Sequence, residues 1–184
     1  MSAKRTTSAT LAKSRSPPVS LRVRSLTPKD RDEWIGLRRE LWPNHPAKDL
    51  ARDADTFLHS RKGNRFWRAS MLATVLLAKI ELGKVVGFAE VDLRPYADGC
   101  RSSPVGYLEG WYVTPEYRRS GVGRVLVRAA EAWARDQGCT EMASDTEVTN
   151  ASSQLAHKAL GYTEVQRLVH LRRDLPAAKL KRET

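Results

Sequence analysis

The stretch "EGWYVTPEYRRSGVGRVL" (residues 109–126) decides how the rest of the chain is read. An apolar strand ends at Val113, Thr114 and Pro115 turn the chain, and beyond Val122 apolar residues recur at helical spacing. Between strand and helix stand Arg118, Arg119, Ser120, Gly121, Val122 and Gly123. Gly121 and Gly123 let the backbone approach a ligand closely and expose amide hydrogens. The helix start adds the positive end of its dipole, and Arg118, Arg119 and Arg124 add charge, a combination suited to a pyrophosphate. The stretch has neither the G-x-x-x-x-G-K-[ST] of a triphosphate loop nor the G-x-G-x-x-G of a dinucleotide fold. Taken alone, R-x-x-G-x-G is a weak signal, because glycine-containing helix starts with surface arginines are common.

Working outward, Val125, Leu126, Ala129, Ala130 and Trp133 share one face of the helix, which Gly138 closes. "CTEMAS" (139–144) predicts a strand, "NASSQLAHKAL" (150–160) a helix closed by Gly161, and "TEVQRLVHLRRDL" (163–175) a final strand. In the other direction lie the strand "VGYLEGWYV" (105–113) and the loop "RPYADGCRSSP" (94–104). Two antiparallel strands, roughly 69–81 and 84–93, are joined by the turn signal "ELGK". A short amphipathic helix is expected over 47–62 and another after Thr27, with Pro28 in its first turn and Asp30 three residues after the cap. Residues 20–26 read as the first strand. The order β α α β β β α β α β predicts a single α/β (or α+β) domain over 20–175.

The chain has 184 residues and a formal charge of +11, of which residues 1–20 carry +4 and residues 176–184 carry +2. More than half of the excess thus sits in a basic arm (1–19, disordered by composition) and a basic tail (176–184), which argues against nucleic acid as partner. No apolar run reaches the ~20 residues that span a bilayer, so no membrane is expected. Two cysteines without pattern, Cys100 and Cys139, suit a reducing cytoplasm, and four scattered histidines predict no metal site. Against this basic background the run from Cys139 to His157 holds Glu141, Asp145 and Glu147 and no Lys or Arg. Between Val85 and Val113 stand Glu90, Asp92, Asp98 and Glu109 against Arg94 and Arg101. By composition alone a solvated loop is the cheapest explanation of such acidic runs.

In this context the strand, R-x-x-G-x-G, helix, strand and then Asn150 opening a helix that ends "AHKALGY" resemble the GNAT acetyltransferase superfamily. The resemblance spans roughly residues 20–173. It implies a GNAT domain, with a mixed, mostly antiparallel twisted sheet flanked by about four helices. Within the superfamily, W-P-x-H-P (42–46), D-G-C-x-S-S-P (98–104), L-E-G-x-x-V (108–113) and E-M-A-S-D-T (141–146) are similar to the type I aminoglycoside 6'-N-acetyltransferases. That likeness implies acetyl-CoA as co-substrate, a polycationic aminoglycoside as acceptor, and a homodimer in which 164–173 pairs or exchanges. The amides of Trp111, Tyr112 and Val113 would border the acetyl group, with the Val113 N–H polarising the thioester carbonyl. Arg118, Arg119, Ser120, Gly121, Val122, Gly123 and Arg124 would hold the pyrophosphate, and Asn150 the pantetheine arm. Trp42, Tyr96, Glu109, Asp145 and Gln166 fall on the acceptor side. Two departures stand out: His157 occupies the place of a tyrosine that protonates the leaving thiolate in many members, and Gln166 stands where some relatives have a carboxylate. The arm has no counterpart in the compact members, and the stretch 57–77 fits their pattern poorly.

An acceptor amine must lose a proton before it attacks, and Glu109 is the candidate base, acting through water; Asp145 would hold the ammonium. Direct transfer in a ternary complex needs positioning and an oxyanion donor, so Cys100 is not required as nucleophile. Plainer readings stand beside these. Trp42 is equally a core aromatic, Tyr96 a loop residue, His157 a partly buried polar residue, and Asp145 a helix cap. Two other activities compete: acetylation of a different amine, and a non-catalytic acyl-CoA- or nucleic-acid-binding module using the arm.

Overall fold

The computed structural model describes residues 20–59 and 72–174. The basic arm, the basic tail and residues 60–71 lie outside the described residues, and with them the expected beginning of the second strand and the end of the second helix. Among the described residues, five strands form one sheet in chain order: β1 (Arg22–Ser25), β2 (Ala73–Lys79), β3 (Val85–Arg94), β4 (Val105–Val113) and β5 (Met142–Ser144). The first three pairings are antiparallel and β4–β5 is parallel. Helices α1 (Arg31–Leu41), α2 (Ala47–His59), α3 (Val122–Asp136) and α4 (Ala151–Ala159) complete the domain.

Local chemistry explains the joints. Asp30 Oδ2 accepts from the Thr27 backbone N–H at 3.0 Å and the Thr27 hydroxyl at 2.6 Å, so the turn before α1 is capped as its sequence predicts. The same carboxylate takes two bonds from Arg24 on β1, which hold it well below the usual carboxylate range. Between β2 and β3 the "ELGK" turn closes through Ile80 N–H to Lys84 O at 3.0 Å, with Gly83 at a positive φ of 78°.

The sheet is covered on both faces. Trp34, Leu37, Phe57, Val75, Phe88 and Tyr112 pack under α1 and α2. Leu76, Val86, Ala89, Val91, Leu108, Leu126 and Ala130 pack under α3. Burying each such large side chain stabilises the fold by about 1.5–3 kcal/mol.

Two irregularities prepare the site. Glu90 faces Gly110 across the β3–β4 ladder and Val91 faces Leu108, so Glu109 is the extra residue of a β-bulge. On the other side β4 pairs with β5 only from Gly106–Met142 to Leu108–Ser144, and beyond that the ladder ends.

The expected final strand is not formed. Residues 163–174 take no strand pairing, and Val165, Leu168, Val169 and Leu171 are 53–91% exposed. The apolar positions 165, 169 and 171 share a parity that 168 breaks, and the neighbouring edge, β5, is three residues long. Within one chain there is little ladder for this segment to join.

Candidate active site

A cluster of charged residues is built on the α1–α2 face of the sheet. Alternation along β3 puts Glu90, Asp92 and Arg94 on this face. The bulge turns Glu109 toward them, and Arg94 Nη2 is hydrogen-bonded to Glu109 Oε1. Arg94 Nε lies 3.6 Å from Asp92 Oδ1, and its guanidinium carbon lies 3.3 Å from the centre of the Tyr107 ring. Tyr107 donates its hydroxyl to Asp145 Oδ1 at 2.9 Å, tying β4 to the residue that follows β5. Burial, then the charge of Glu109, raise the Asp92 carboxyl above the usual carboxylate range.

Deeper in, Glu90 accepts from Trp34 Nε1 at 2.9 Å and is fully buried. Arg38 Nε sits 2.9 Å from the same Glu90 oxygen but makes no formed hydrogen bond, so this contact is an ion pair out of line with the N–H. The Arg38 guanidinium carbon lies 5.1 Å from the Trp34 ring centre and 5.2 Å from that of Trp42. Burial pushes the Glu90 carboxyl up to about 7, against the pull of Arg38 and Trp34. Gly110 makes room for Trp42, since a Cβ there would stand 2.8 Å from the indole.

On the opposite side of β4 the ladder's end exposes backbone. Thr114 N–H points to β3, where it meets Val86 O at 2.9 Å. By strand alternation the Val113 N–H and C=O point the other way, past the end of the β5 pairing. Arg118 Nε reaches the Val113 carbonyl at 2.9 Å, consistent with that direction. The loop that follows has two left-handed residues, Arg119 at φ 60° and Gly121 at φ 89°. The first α3 bond runs from Val125 N–H to Gly121 O, so the amides of Val122, Gly123 and Arg124 lie before the helical ladder. A Cβ on Gly123 would stand 2.6 Å from the Trp111 ring, so only glycine lets the helix start press on β4. Arg124 and Arg128 line a cleft between α3 and α4 with Ala159 and Leu160. Free amides in a tight loop, flanking arginines and a cleft at a helix start fit the diphosphate of a coenzyme A.

Residues 34–162 match the profile of the acetyltransferase (GNAT) family. The aminoglycoside N(6')-acetyltransferase type 1 of Klebsiella aerogenes is 44% identical over 153 residues, 83% of this chain and 96% of the relative. That of Salmonella typhimurium is 40% identical over 82% of this chain and 97% of its own length. Among solved structures, AAC(6')-Iy in complex with a bisubstrate analogue superposes with a TM-score of 0.74 at 35% identity, covering 85% of this chain and 99% of that one. The chain belongs to the GNAT acetyltransferase family, in its aminoglycoside 6'-N-acetyltransferase branch. As a GNAT enzyme it is an acetyltransferase that uses acetyl-CoA.

Against that family frame, the site residues expected from the sequence divide. Glu109 and Asp145 are brought to one face through Arg94 and Tyr107. Asp145 is not a helix cap, because Asn150 does that work: its Oδ1 accepts from Ser153 N–H at 3.1 Å. Trp42 is half-buried and packs on the first core cluster beside Gly110, so it is core aromatic and site wall at once. Tyr112 donates to Glu40 Oε2 at 2.5 Å, and the Arg118 guanidinium carbon lies 5.4 Å from its ring centre, so the Arg118 side chain is turned back to β4. Ser120 is buried and donates to Tyr117 O at 2.6 Å. His157 Nδ1 faces Ser153 O at 2.8 Å and Nε2 faces Ser144 Oγ at 3.1 Å, with its ring edge-on to Trp111 and Tyr162. Tyr96 and Gln166 are not joined to this group. Tyr96 is 66% exposed and donates to Asp98 at 2.8 Å, and Gln166 lies in the exposed 163–174 segment.

Sequence reasoning missed Asp92, Arg94 and Tyr107 as site residues, as well as the Ser144 hydroxyl beside His157. The available signal was parity: positions 90, 92 and 94 share one face of a strand whose other face, 89, 91 and 93, is wholly apolar.

Proposed function

We propose that this enzyme N-acetylates the 6'-amino group of aminoglycosides by direct transfer from acetyl-CoA in a ternary complex, and so confers resistance to them. The observation that carries the reading is the juxtaposition of Glu109, Asp92 and Asp145 on one face of β4 with the outward Val113 N–H at its other edge. Polyamines need carboxylates, and acetyl transfer needs an amide aimed at the thioester oxygen. The named relatives are aminoglycoside N(6')-acetyltransferases, which supports this acceptor class.

Acetyl-CoA, when bound, supplies an activated acetyl thioester. Val113 N–H donates to its carbonyl oxygen, and the amides of Val122 to Arg124 hold the diphosphate. Glu109 takes a proton from the acceptor ammonium, through water, and so frees the nitrogen lone pair. Asp145, fixed by Tyr107, holds and orients the sugar-bound ammonium. As the C–N bond forms and the C–S bond breaks, the nitrogen's second proton passes to water, and His157, oriented by Ser153 O and in contact with Ser144 Oγ, donates a proton to the departing sulfur. No covalent enzyme intermediate is required. We further assign the enzyme to the cytoplasm, and we propose a homodimer. Supporting the dimer is the exposed apolar set Val165, Leu168, Val169 and Leu171, which a second copy would cover.

The test is thiol release from acetyl-CoA with a 6'-amino aminoglycoside and with its 6'-hydroxyl analogue. Turnover with the amine and none with the alcohol is expected. No turnover with either overturns the acceptor assignment.

A further inference from the structure

Arg94 ends β3 with its guanidinium among three groups of the acceptor face. It is bonded to Glu109, 3.6 Å from Asp92 and stacked on Tyr107, whose hydroxyl is bound to Asp145. It therefore stands where these carboxylates present their charge.

Two observations separate it from a structural ion pair. The first is mobility of place: Arg38, which serves Glu90, is 5% exposed and wedged against two indoles, whereas the Arg94 side chain is 37% exposed. A long side chain at the rim can swing its head into water without opening the core. The second is incompleteness. Asp92 Oδ1 is buried without a hydrogen-bond partner among the described residues, and the Arg94 Nε at 3.6 Å is too far to be one. The guanidinium brings one positive charge to this pair of acids and leaves one acceptor atom unserved, which a compact ammonium with three donors can serve.

We propose that Arg94 is a resident counter-ion of the acceptor site, a positioning residue that keeps Glu109 in place and is exchanged for an ammonium of the incoming amine. The inference rests on the acceptor reading given above. The exchange is one cation for another, with no bond made or broken. Its consequence is that acceptor affinity is a difference: the ammonium's contacts with Glu109 and Asp92, less those that Arg94 gives up.

Two measurements test it. In the wild-type protein the Arg94 Nε–H proton resonance, assigned by its loss in Arg94→Lys, should lie upfield because of the Tyr107 ring. Saturation with a 6'-amino aminoglycoside should move it downfield as the guanidinium leaves the ring. In Arg94→Gln the acceptor KM should fall about three- to fivefold, the span an exposed pair allows, with acetyl-CoA KM unchanged. The acceptor KM should also depend more steeply on salt. A resonance that stays in place at saturation, or an acceptor KM that rises in Arg94→Gln, overturns the exchange. Wild-type turnover of the same acceptor keeps the two questions apart. Turnover with a stationary Arg94 overturns the exchange alone, and absence of turnover overturns the acceptor reading and the exchange with it.

Discussion

Adjacent residues of β3 live in opposite chemistry. Ala89, Val91 and Leu93 face the α3 side, pack against apolar residues and are at most 4% exposed. Glu90, Asp92 and Arg94 face the α1–α2 side and carry charge; the two acids are as buried as their apolar neighbours. The α3 face does the ordinary work of a core. The other face retains carboxylates that cost several kcal/mol each to desolvate; Arg38 and the Trp34 N–H meet Glu90, and Arg94 lies 3.6 Å from Asp92. The contrast supports the proposal that a cationic acceptor binds on the charged face. The dry face seats the start of α3 against β4, and the charged face is the one proposed to take the acceptor.

Breaking the charged face should have the largest consequences. Glu109→Gln removes the proposed base, and kcat at neutral pH should fall by about 10²–10⁴-fold, measured by thiol release at saturating substrates. An unchanged pH–rate profile removes Glu109 from that role. Arg38→Met leaves Glu90 buried without its cation, and denaturant unfolding should show a loss of about 3–5 kcal/mol. A loss below 1 kcal/mol would mean that Glu90 is neutral in the folded protein.

The dry face is tested by Gly123→Ala. The added methyl meets the Trp111 ring 2.6 Å away, so the helix start must shift. Acetyl-CoA KM should rise about tenfold, on the order of one lost charge-assisted contact, while acceptor KM stays put. The smallest effect is on pH. Because the Asp92 carboxyl is raised to about 7, the folded protein holds a proton that the unfolded chain has released between about pH 4 and 7. Its contribution therefore makes stability fall as pH rises through that window. Asp92→Asn cannot titrate, so the difference in thermal midpoint between pH 5 and 8 should narrow.

Much of this was legible in the sequence, for identifiable reasons. The glycines and arginines of 118–124 are a weak signal alone and become informative only in their order: strand, R-x-x-G-x-G, helix, strand, and Asn150 opening the next helix. Glu109 and Asp145 were recognisable through the strings around them. Asp92 and Arg94 were counted as charge and not as site, since pairing across a bulge is a three-dimensional property that composition does not carry. Asp145 competed with Asn150 for the cap, and only the Asn150–Ser153 bond separates them. The segment 163–174 has strand-like composition, but a strand needs an edge, and a three-residue β5 offers little.

In the proposed ternary complex the polycation lies on the carboxylate side and the diphosphate of the polyanion at the start of α3, and the acetyl group meets the acceptor near Val113. The most direct test is Asp145→Ala with both Michaelis constants measured. Tyr107 would lose its partner and the acceptor its ammonium site, while the amides at 122–124 would be untouched. Acceptor KM is predicted to rise about tenfold or more, with acetyl-CoA KM within about twofold of wild type, as expected for one charge-assisted contact. An equal rise in both constants would contradict the separation.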